Sequence, residues 1–482
     1  MVYFILILGY SLNLIFISIF KYNYSYDEII VTEISKQPIS TLLNTIKAEP
    51  HPPGFYFLLK FLPVDNPTAT KLIITSASFI LSMGTIFFLH KKELINKFKL
   101  KHGLVLFFSS YTFLSISTEV KQTSLSAPIL LLFLSTLFYT ANKNKISPIN
   151  LITINISALL LLSLGYINYL IGLFTLIAIC LIKKNKLLIY SSIFQLIILL
   201  FFLKLFALDQ IIINTHRFSW INEFYSNPIN LLSTHISGFY SQHPALDIPL
   251  IFFLLLIFLG IYKNNTKTPK AFYYAQIVAL ILFLITIITK TSVRVRYSTP
   301  LLFTLSTLAG WGLIALNNAF KTNSLYKPTI SLFFCLGFLG HIYNQTTIQK
   351  NNQIIVNAVN SFPENKKVAL AIDREIYPLA FKLKFFKNKK NLIPVNFFNP
   401  GLIENSQTIT QKHLTNYSPP RLPLKIKYEN YLFVDIQRPI KSNSEKDKIN
   451  LILTLNKSCK QSNIININNS FTLYSFEDCL SK

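Results

Sequence analysis

Between Val2 and Tyr343 the chain carries one long apolar run after another, most of them without a charge for about 16–22 residues. A soluble core does not produce such runs, because its helices alternate buried and solvated faces every few residues. Runs of this length instead match the hydrocarbon thickness of a bilayer. They place eleven expected helices at 2–20, 69–90, 103–118, 123–140, 149–165, 167–182, 187–207, 248–262, 271–289, 298–316 and 328–345. The expected fold is a polytopic α-helical membrane protein with about eleven transmembrane helices over 1–345. A small extracytoplasmic α/β domain over 346–482 is expected to follow.

The formal charge of +26 invites a nucleic-acid reading, which its distribution argues against. Basic residues gather in short loops between alternate pairs of runs: Lys91, Lys92, Lys97, Lys99 and Lys101; Lys143 and Lys145; Lys183, Lys184 and Lys186; Lys263, Lys267 and Lys270; Lys321 and Lys327. That is the pattern of cytoplasmic loops in membrane proteins. No basic strip with interleaved aromatics on a soluble face accompanies it, so no nucleic-acid partner is expected. With the lysine loops inside, the N-terminus is cytoplasmic and the C-terminus outside. The first run lacks a basic leader and a small-residue cleavage site, so it reads as a retained helix.

This topology puts three segments on the outer face: 21–68, 208–247 and everything after about 346. In the last, 367–373 (KVALAID), 431–435 (YLFVD) and 471–476 (FTLYSF) read as short strands, with helices near 376–386 and 444–455. Cys180 and Cys335 fall inside apolar runs and read as small hydrophobes. Cys459 and Cys479 lie in the outer domain, where a disulfide and two free thiols both remain open.

The residues with chemical potential share that outer face. Asp27-Glu28 follow the first run, and Glu49-Pro50-His51-Pro52-Pro53-Gly54 closes the same loop. An acid pair at a helix end is most often merely solvated, and a Pro-Pro-Gly sequence is a turn. Four polar groups in one loop form a compact set of acid, base and candidate metal ligands. At the outer end of the third run stands Thr118-Glu119-Val120-Lys121-Gln122, where a charge costs energy unless it meets water, a partner or a ligand. The bland alternative is a snorkelling Lys121 beside a loop carboxylate. At the outer start of the tenth run stands Arg294-Val295-Arg296-Tyr297, whose guanidinium forks suit phosphate oxygens or lipid headgroups. His243, in the 208–247 loop, is a weaker candidate for contacting substrate, as is His216.

Taken in order, Asp27-Glu28, Glu49-Pro50-His51-Pro52-Pro53, Glu119-Val120-Lys121-Gln122 and Arg294-Val295-Arg296-Tyr297 resemble bacterial members of the GT-C glycosyltransferase superfamily. The branch they look most like is family 39, which holds protein O-mannosyltransferases and the lipid A aminoarabinose transferase. The similarity spans roughly residues 1–345. It implies inverting transfer of a sugar from a polyprenyl-phosphate donor to a lipid, glycan or protein hydroxyl, at the outer face of a bacterial-type plasma membrane. By the same resemblance Asp27 is the catalytic base and Glu28 assists it. Arg296 holds the donor phosphate, with Arg294, Tyr297 and Lys121 beside it. Glu49, His51, Glu119 and His243 would line the substrate loop, with Glu49 and His51 the candidate ligands should a divalent metal be used. Lys121 stands where many relatives carry arginine, and Thr123 where many carry tyrosine.

Three other readings fit parts of the pattern. A lipid-linked-saccharide flippase or other transporter would place ionisable residues near mid-membrane, and Lys204 is the charge that lies clearly inside a run. An oligosaccharide polymerase or ligase would use a diphosphate-linked donor. A non-catalytic assembly protein would only present the outer domain.

Overall fold

The computed structural model describes residues 1–20, 26–47, 51–97, 99–141, 143, 146–207, 247–264, 277, 281, 285, 299–319, 326–362, 366–372, 391–396, 430–436, 452–453, 455–468 and 471–479. The chain divides into two compact units. Unit 1 holds Met1–Tyr22, Glu49–Ile212 and Tyr225–Asn344, and unit 2 holds Asn23–Ala48, Ile213–Phe224 and Gln345–Lys482.

Unit 1 is helical. Its elements are α1 (Val2–Phe20), α4 (Gly54–Leu59), α5 (Pro67–Lys91), α6 (Leu94–Lys97), α7 (Lys101–Ser109), α8 (Tyr111–Ser117), α9 (Gln122–Ala141), α10 (Pro148–Leu164), α11 (Tyr166–Lys183) and α12 (Lys186–Phe202). A π-helical turn, Leu203–Ala207, ends α12, and α13 (Asp247–Asn264) and α14 (Thr299–Ala319) follow. Helix α15 (Tyr326–Asn360) begins in unit 1. Among the described residues, five helices are long and apolar enough to cross a membrane: Val2–Ile19, Pro67–Lys91, Gln122–Ala141, Tyr166–Lys183 and Lys186–Phe206.

The burial pattern of α5 is the reverse of a soluble helix. Lys71, Thr75, Ser78, Ser82 and Thr85 are buried, while Ile73, Ile80 and Phe87 are exposed. The buried residues follow a 4-3-4-3 spacing, which is one face of a helix. A polar stripe thus turns inward beside Ile74, Ile86 and Leu89, while other aliphatic and aromatic groups turn outward, as suits a hydrocarbon surround. A second polar seam joins α10, α11 and α12: Asn155 Nδ2 donates to Ser191 Oγ (2.8 Å), Gln195 Nε2 to Asn155 Oδ1 (2.9 Å), and Tyr169 Oη to the Gln195 carbonyl (2.7 Å). Interhelical hydrogen bonds of this kind hold helices together where no hydrophobic gradient separates helix from solvent.

The run at 103–118 is not one helix. It breaks at Ser110, whose extended backbone (ψ 143°) makes it the N-cap of α8, its hydroxyl accepting from the Phe113 N–H at 3.2 Å. Of the run at 271–289, only residues 277, 281 and 285 are described, and all three are helical.

Unit 2 contains α2 (Tyr26–Ser35), α3 (Ile39–Ile46) and the strands β1 (Val368–Ile372), β2 (Leu392–Asn396), β3 (Asn430–Ile436), β4 (Cys459–Asn468) and β5 (Phe471–Cys479). The sheet order is β2-β1-β3-β5-β4. The first three strands are parallel, and β3, β5 and β4 are antiparallel. Alternation along the strands sorts two cores. Val368, Leu370, Leu392, Leu432 and Leu473 face Ile355, Val359 and Phe362, while Ala369, Tyr431, Phe476 and Cys479 pack with Leu455 on the other side. Residues Ile355 and Val359 are one turn apart on α15, so the end of that helix covers the first face.

Strands β1, β3 and β5 coincide with the three stretches expected from sequence, β1 lying within 367–373, while β2 and β4 were missed. β2 carries a proline, and β4 (CKQSNIININ) is polar along most of its length. Cys459 and Cys479 are disulfide-bonded and face each other in the β4–β5 register. The helices expected near 376–386 and across most of 444–455 lie outside the described residues.

Candidate functional site

The polar centre of unit 1 is an interruption in its helices. Helix α8 ends at Ser117 and α9 begins at Gln122, so the four residues Thr118–Lys121 run as non-helical backbone. A helix end releases carbonyls that intrahelical bonds no longer satisfy. In a bilayer-embedded bundle such groups must be met by protein.

Neighbouring helices meet them. Thr75 Oγ1 donates to the Ser117 carbonyl (3.0 Å) and Lys71 Nζ to the Thr118 carbonyl (3.4 Å). Ser78 Oγ donates to the Ser124 carbonyl (2.9 Å), and Asn13 Nδ2 donates to the Leu114 carbonyl (3.1 Å) and to Ser117 Oγ (2.9 Å). From the first turn of α9, Ser124 Oγ donates to the Lys121 carbonyl (2.6 Å). Leaving one such buried carbonyl unmet costs about 1–3 kcal/mol. The break is therefore held in place by the polar stripe of α5 and by α1.

Glu119 and Lys121 project from this held segment. Their side chains approach to 3.6 Å, with the Lys121 side chain 7 % exposed and that of Glu119 24 %. Taking an ammonium group out of water costs several kcal/mol, which a single carboxylate offsets only in good geometry. Ionisable groups kept inside a helix bundle mark functional sites more often than scaffolding.

The His-Pro-Pro turn also belongs to unit 1. His51 is half-buried, Pro52 and Pro53 are buried, and Pro53 is the N-cap residue of α4. The following glycine is needed for packing: a Cβ on Gly54 would stand 2.7 Å from the Ser163 carbonyl oxygen, Cβ and Oγ at the end of α10. Phe55, Tyr56 and Leu59 then anchor α4 in the core. The turn is thus the start of a packed helix, and Gly54 fixes how closely it sits.

Asp27 and Glu28 belong to unit 2, in the first turn of α2, where a helix dipole favours carboxylates. Glu28 is 1 % exposed; for Asp27 the backbone alone is described. Here the structure adds to the sequence reading. The 21–68 segment contains three helices, α2, α3 and α4, divided between the two units. The signal for α3 was present in Ile39, Leu42, Leu43 and Ile46, a helical apolar stripe.

Among the candidates, Glu119 and Lys121 are brought together. Glu49, His243, Arg294, Arg296 and Tyr297 lie outside the described residues, as does His216. Among the described residues, no three His, Cys, Asp or Glu side chains gather in a way that could hold a metal ion.

Two buried groups on other helices went unnoticed in the sequence, Lys71 at the break and His341 against the first residue of α8. Lys71, 6 % exposed, sits in the second turn of α5 and was absorbed into an apolar run. Its signal was the polar stripe it begins, Lys71-Thr75-Ser78-Ser82-Thr85. His341, on α15, is 1 % exposed and packs against the ring of Tyr111 (centroids 6.4 Å apart). Neither of its ring nitrogens has a hydrogen-bond partner among the described residues.

No protein-family model matches the chain, and no curated protein matches it in sequence. Solved structures do. In fold, the chain is similar to ArnT. The structure of ArnT from Cupriavidus metallidurans in the apo state matches with a TM-score of 0.48 and 11 % identity, covering 93 % of each chain. The same protein bound to undecaprenyl phosphate matches with a TM-score of 0.46 and 11 % identity, covering 93 % of this chain and 96 % of that one.

Proposed function

We propose that this protein is an inverting glycosyltransferase. It would move a sugar from a polyprenyl-phosphate donor to a hydroxyl of a lipid, glycan or protein acceptor on the outer face of the membrane. The observation that carries the reading is the Glu119–Lys121 pair, with Lys121 buried and Glu119 half-buried, on backbone that neighbouring helices hold open at the α8–α9 break. A phosphate beside Lys121 would meet the ammonium group as a point charge with rotatable donors. The ordered motifs at Asp27-Glu28, Glu49–Pro53 and Arg294–Tyr297 supply the other parts of the same reaction.

In this mechanism Asp27 takes the proton of the acceptor hydroxyl, and Glu28 supports it. The acceptor oxygen attacks the anomeric carbon from the face opposite the phosphate. As that bond forms, the bond from the anomeric carbon to the phosphate oxygen breaks, and polyprenyl phosphate leaves with the electron pair. Arg296, Arg294 and Lys121 neutralise the charge that gathers on the phosphate, with Tyr297 beside them. Placed charges of this kind are often the largest catalytic contribution, and general-base help adds about 10²–10⁴-fold. Glu49, His51 and His243 shape the acceptor side. Glu49 and His51 are the residues that would hold a divalent cation if the reaction uses one.

The test is a panel of polyprenyl-monophosphate sugars given to the purified protein, with Asp27→Asn and Arg296→Ala beside wild type. Release of polyprenyl phosphate by wild type, and a loss of at least about 100-fold in Asp27→Asn, is the expected result. No release from any donor by folded wild-type protein would favour a transporter or a diphosphate-donor polymerase. Equal release by Asp27→Asn would keep the reaction class and remove Asp27 from it.

A further inference from the structure

Helices α5 and α9 each end on an aromatic residue followed four places later by a lysine: Phe88 and Lys92 on one, Tyr139 and Lys143 on the other. That spacing puts ring and lysine on the same side of a helix. The two rings meet edge to face, with centroids 5.8 Å apart. Both ammonium groups close on one of them, Lys92 Nζ at 5.0 Å and Lys143 Nζ at 5.3 Å from the centroid of Tyr139. The two charges therefore stand within about 10 Å of each other, near enough to repel at physiological salt. A single lysine beyond a last helical turn is explained by the helix dipole. The dipole does not explain why two lysines, from two helices, converge on one half-buried ring. Among the described residues neither pairs with a carboxylate, and Glu93, beside Lys92 in the chain, pairs with neither.

Position along the helix selects the anion. Lys71, at the α8–α9 break, and Lys92 are separated along α5 by about 31 Å at the rise of an α-helix, which matches the hydrocarbon thickness of a bilayer. Tyr139 and its lysines thus stand at the headgroup level of the leaflet opposite the break, the depth that tyrosine favours. The outward-facing residues Ile73, Ile80 and Phe87 run along α5 toward this end, and Lys91, exposed and four residues beyond Phe87, continues their line. We infer that Lys92, Lys143 and Tyr139 bind the phosphate of an anionic phospholipid, whose acyl chains lie along Ile80 and Phe87. The ammonium groups meet the phosphate oxygens as point charges, and the Tyr139 hydroxyl donates a further hydrogen bond. The ring face holds the two lysines together against their repulsion. With the lysine loops cytoplasmic, the lipid is one of the inner leaflet, whose anionic headgroups attract such charges. The inference stands apart from the sugar-transfer reading, whose lysine lies at the other end of α5.

The experiment titrates the full-length protein in detergent with phosphatidylglycerol or phosphatidylcholine and follows retained lipid by native mass spectrometry. Wild type is compared with the double variant Lys92→Gln/Lys143→Gln, with Tyr139→Leu, and with Lys183→Gln/Lys186→Gln. The last removes two exposed lysines of another loop and so serves as the control of equal charge. Wild type should retain phosphatidylglycerol in preference to phosphatidylcholine. The Lys92/Lys143 double variant should weaken phosphatidylglycerol binding by about 10- to 30-fold, and the control pair should leave it within about twofold. Tyr139→Leu keeps every charge and should still weaken binding severalfold, a loss that surface charge alone does not produce. An equal loss in the control pair would overturn the inference in favour of a diffuse basic surface. Unchanged binding by the Lys92/Lys143 double variant would also overturn it, as would phosphatidylcholine binding as tightly as phosphatidylglycerol. Displacement of the lipid by inorganic phosphate would make the occupant a free phosphate, and stronger competition by polyprenyl monophosphate would make it the donor lipid; either result refutes the phospholipid site. If Tyr139→Leu does not elute as folded protein, the two lysine pairs decide, since all four side chains lie at the ends of helices and none is buried.

Discussion

Replacing Gly54 with alanine tests whether the His-Pro-Pro turn is a packed structural element. A Cβ at that position would stand 2.7 Å from three atoms of Ser163, one of them a backbone carbonyl oxygen. Ordinary contacts begin near 3.4 Å, so α4 and α10 must separate by about 0.7 Å, or one must bend. The carbonyl cannot rotate away as a flexible side chain would. Overpacking of this kind costs about 1–3 kcal/mol. Gly84 provides the matched control, since it lies mid-helix in α5 with nothing within 4 Å of the position its Cβ would take. There alanine removes the conformational freedom of glycine without a clash, which stabilises by about 0.5–1 kcal/mol. Thermal unfolding of both variants in one detergent, read by loss of the monodisperse elution peak, should move the midpoints in opposite directions. Gly54→Ala at or above wild-type stability would refute the close approach of α4 to α10. Opposite shifts, accompanied by slower sugar transfer in Gly54→Ala only, would tie the geometry of the turn to function.

The remaining predictions concern polar groups whose surroundings differ. Thr75→Val keeps the shape of the side chain but leaves the Ser117 carbonyl unmet; it should destabilise by about 1–3 kcal/mol in the same thermal assay, and no change would show that the carbonyl has another donor. Reducing or serine-substituting the Cys459–Cys479 pair, separated by 20 residues, should remove about 3 kcal/mol of loop-closure stabilisation, seen as faster hydrogen exchange at β4–β5 amides. Unchanged exchange would mean that the hairpin needs no cross-link. The Lys366–Asp478 ion pair, 3.1 Å long with side chains 37 % and 54 % exposed, should contribute only about 0–1 kcal/mol. Lys366→Ala is therefore expected to leave exchange in β5 nearly unchanged, and a large acceleration there would contradict its solvated setting.

Much of the architecture was legible from runs and periods. A stretch such as 123–140 must be helical, whatever surrounds it, because hydrocarbon offers no partner to its backbone, and α9 runs over Gln122–Ala141. The short apolar run at 367–373 and the aromatic-rich stretch at 471–476 likewise pointed to two strands. The opposite held for β4. Its residues are largely polar, and it forms because β5 offers a ladder and a disulfide closes the end.

The candidate site divides along the same line. Glu119 and Lys121 could be picked out from the sequence because two charges beside an apolar run have few inexpensive places to be. The break that presents them could not, nor could Lys71 and His341, which lie far from it in the chain. Sequence alone determined which segments must be helices and which residues are costly to bury, since both follow from local chemistry and chain length. Only the tertiary structure decided where the helix stops and which distant side chains meet the released carbonyls. A broken backbone is stable only when groups from other helices arrive to satisfy it.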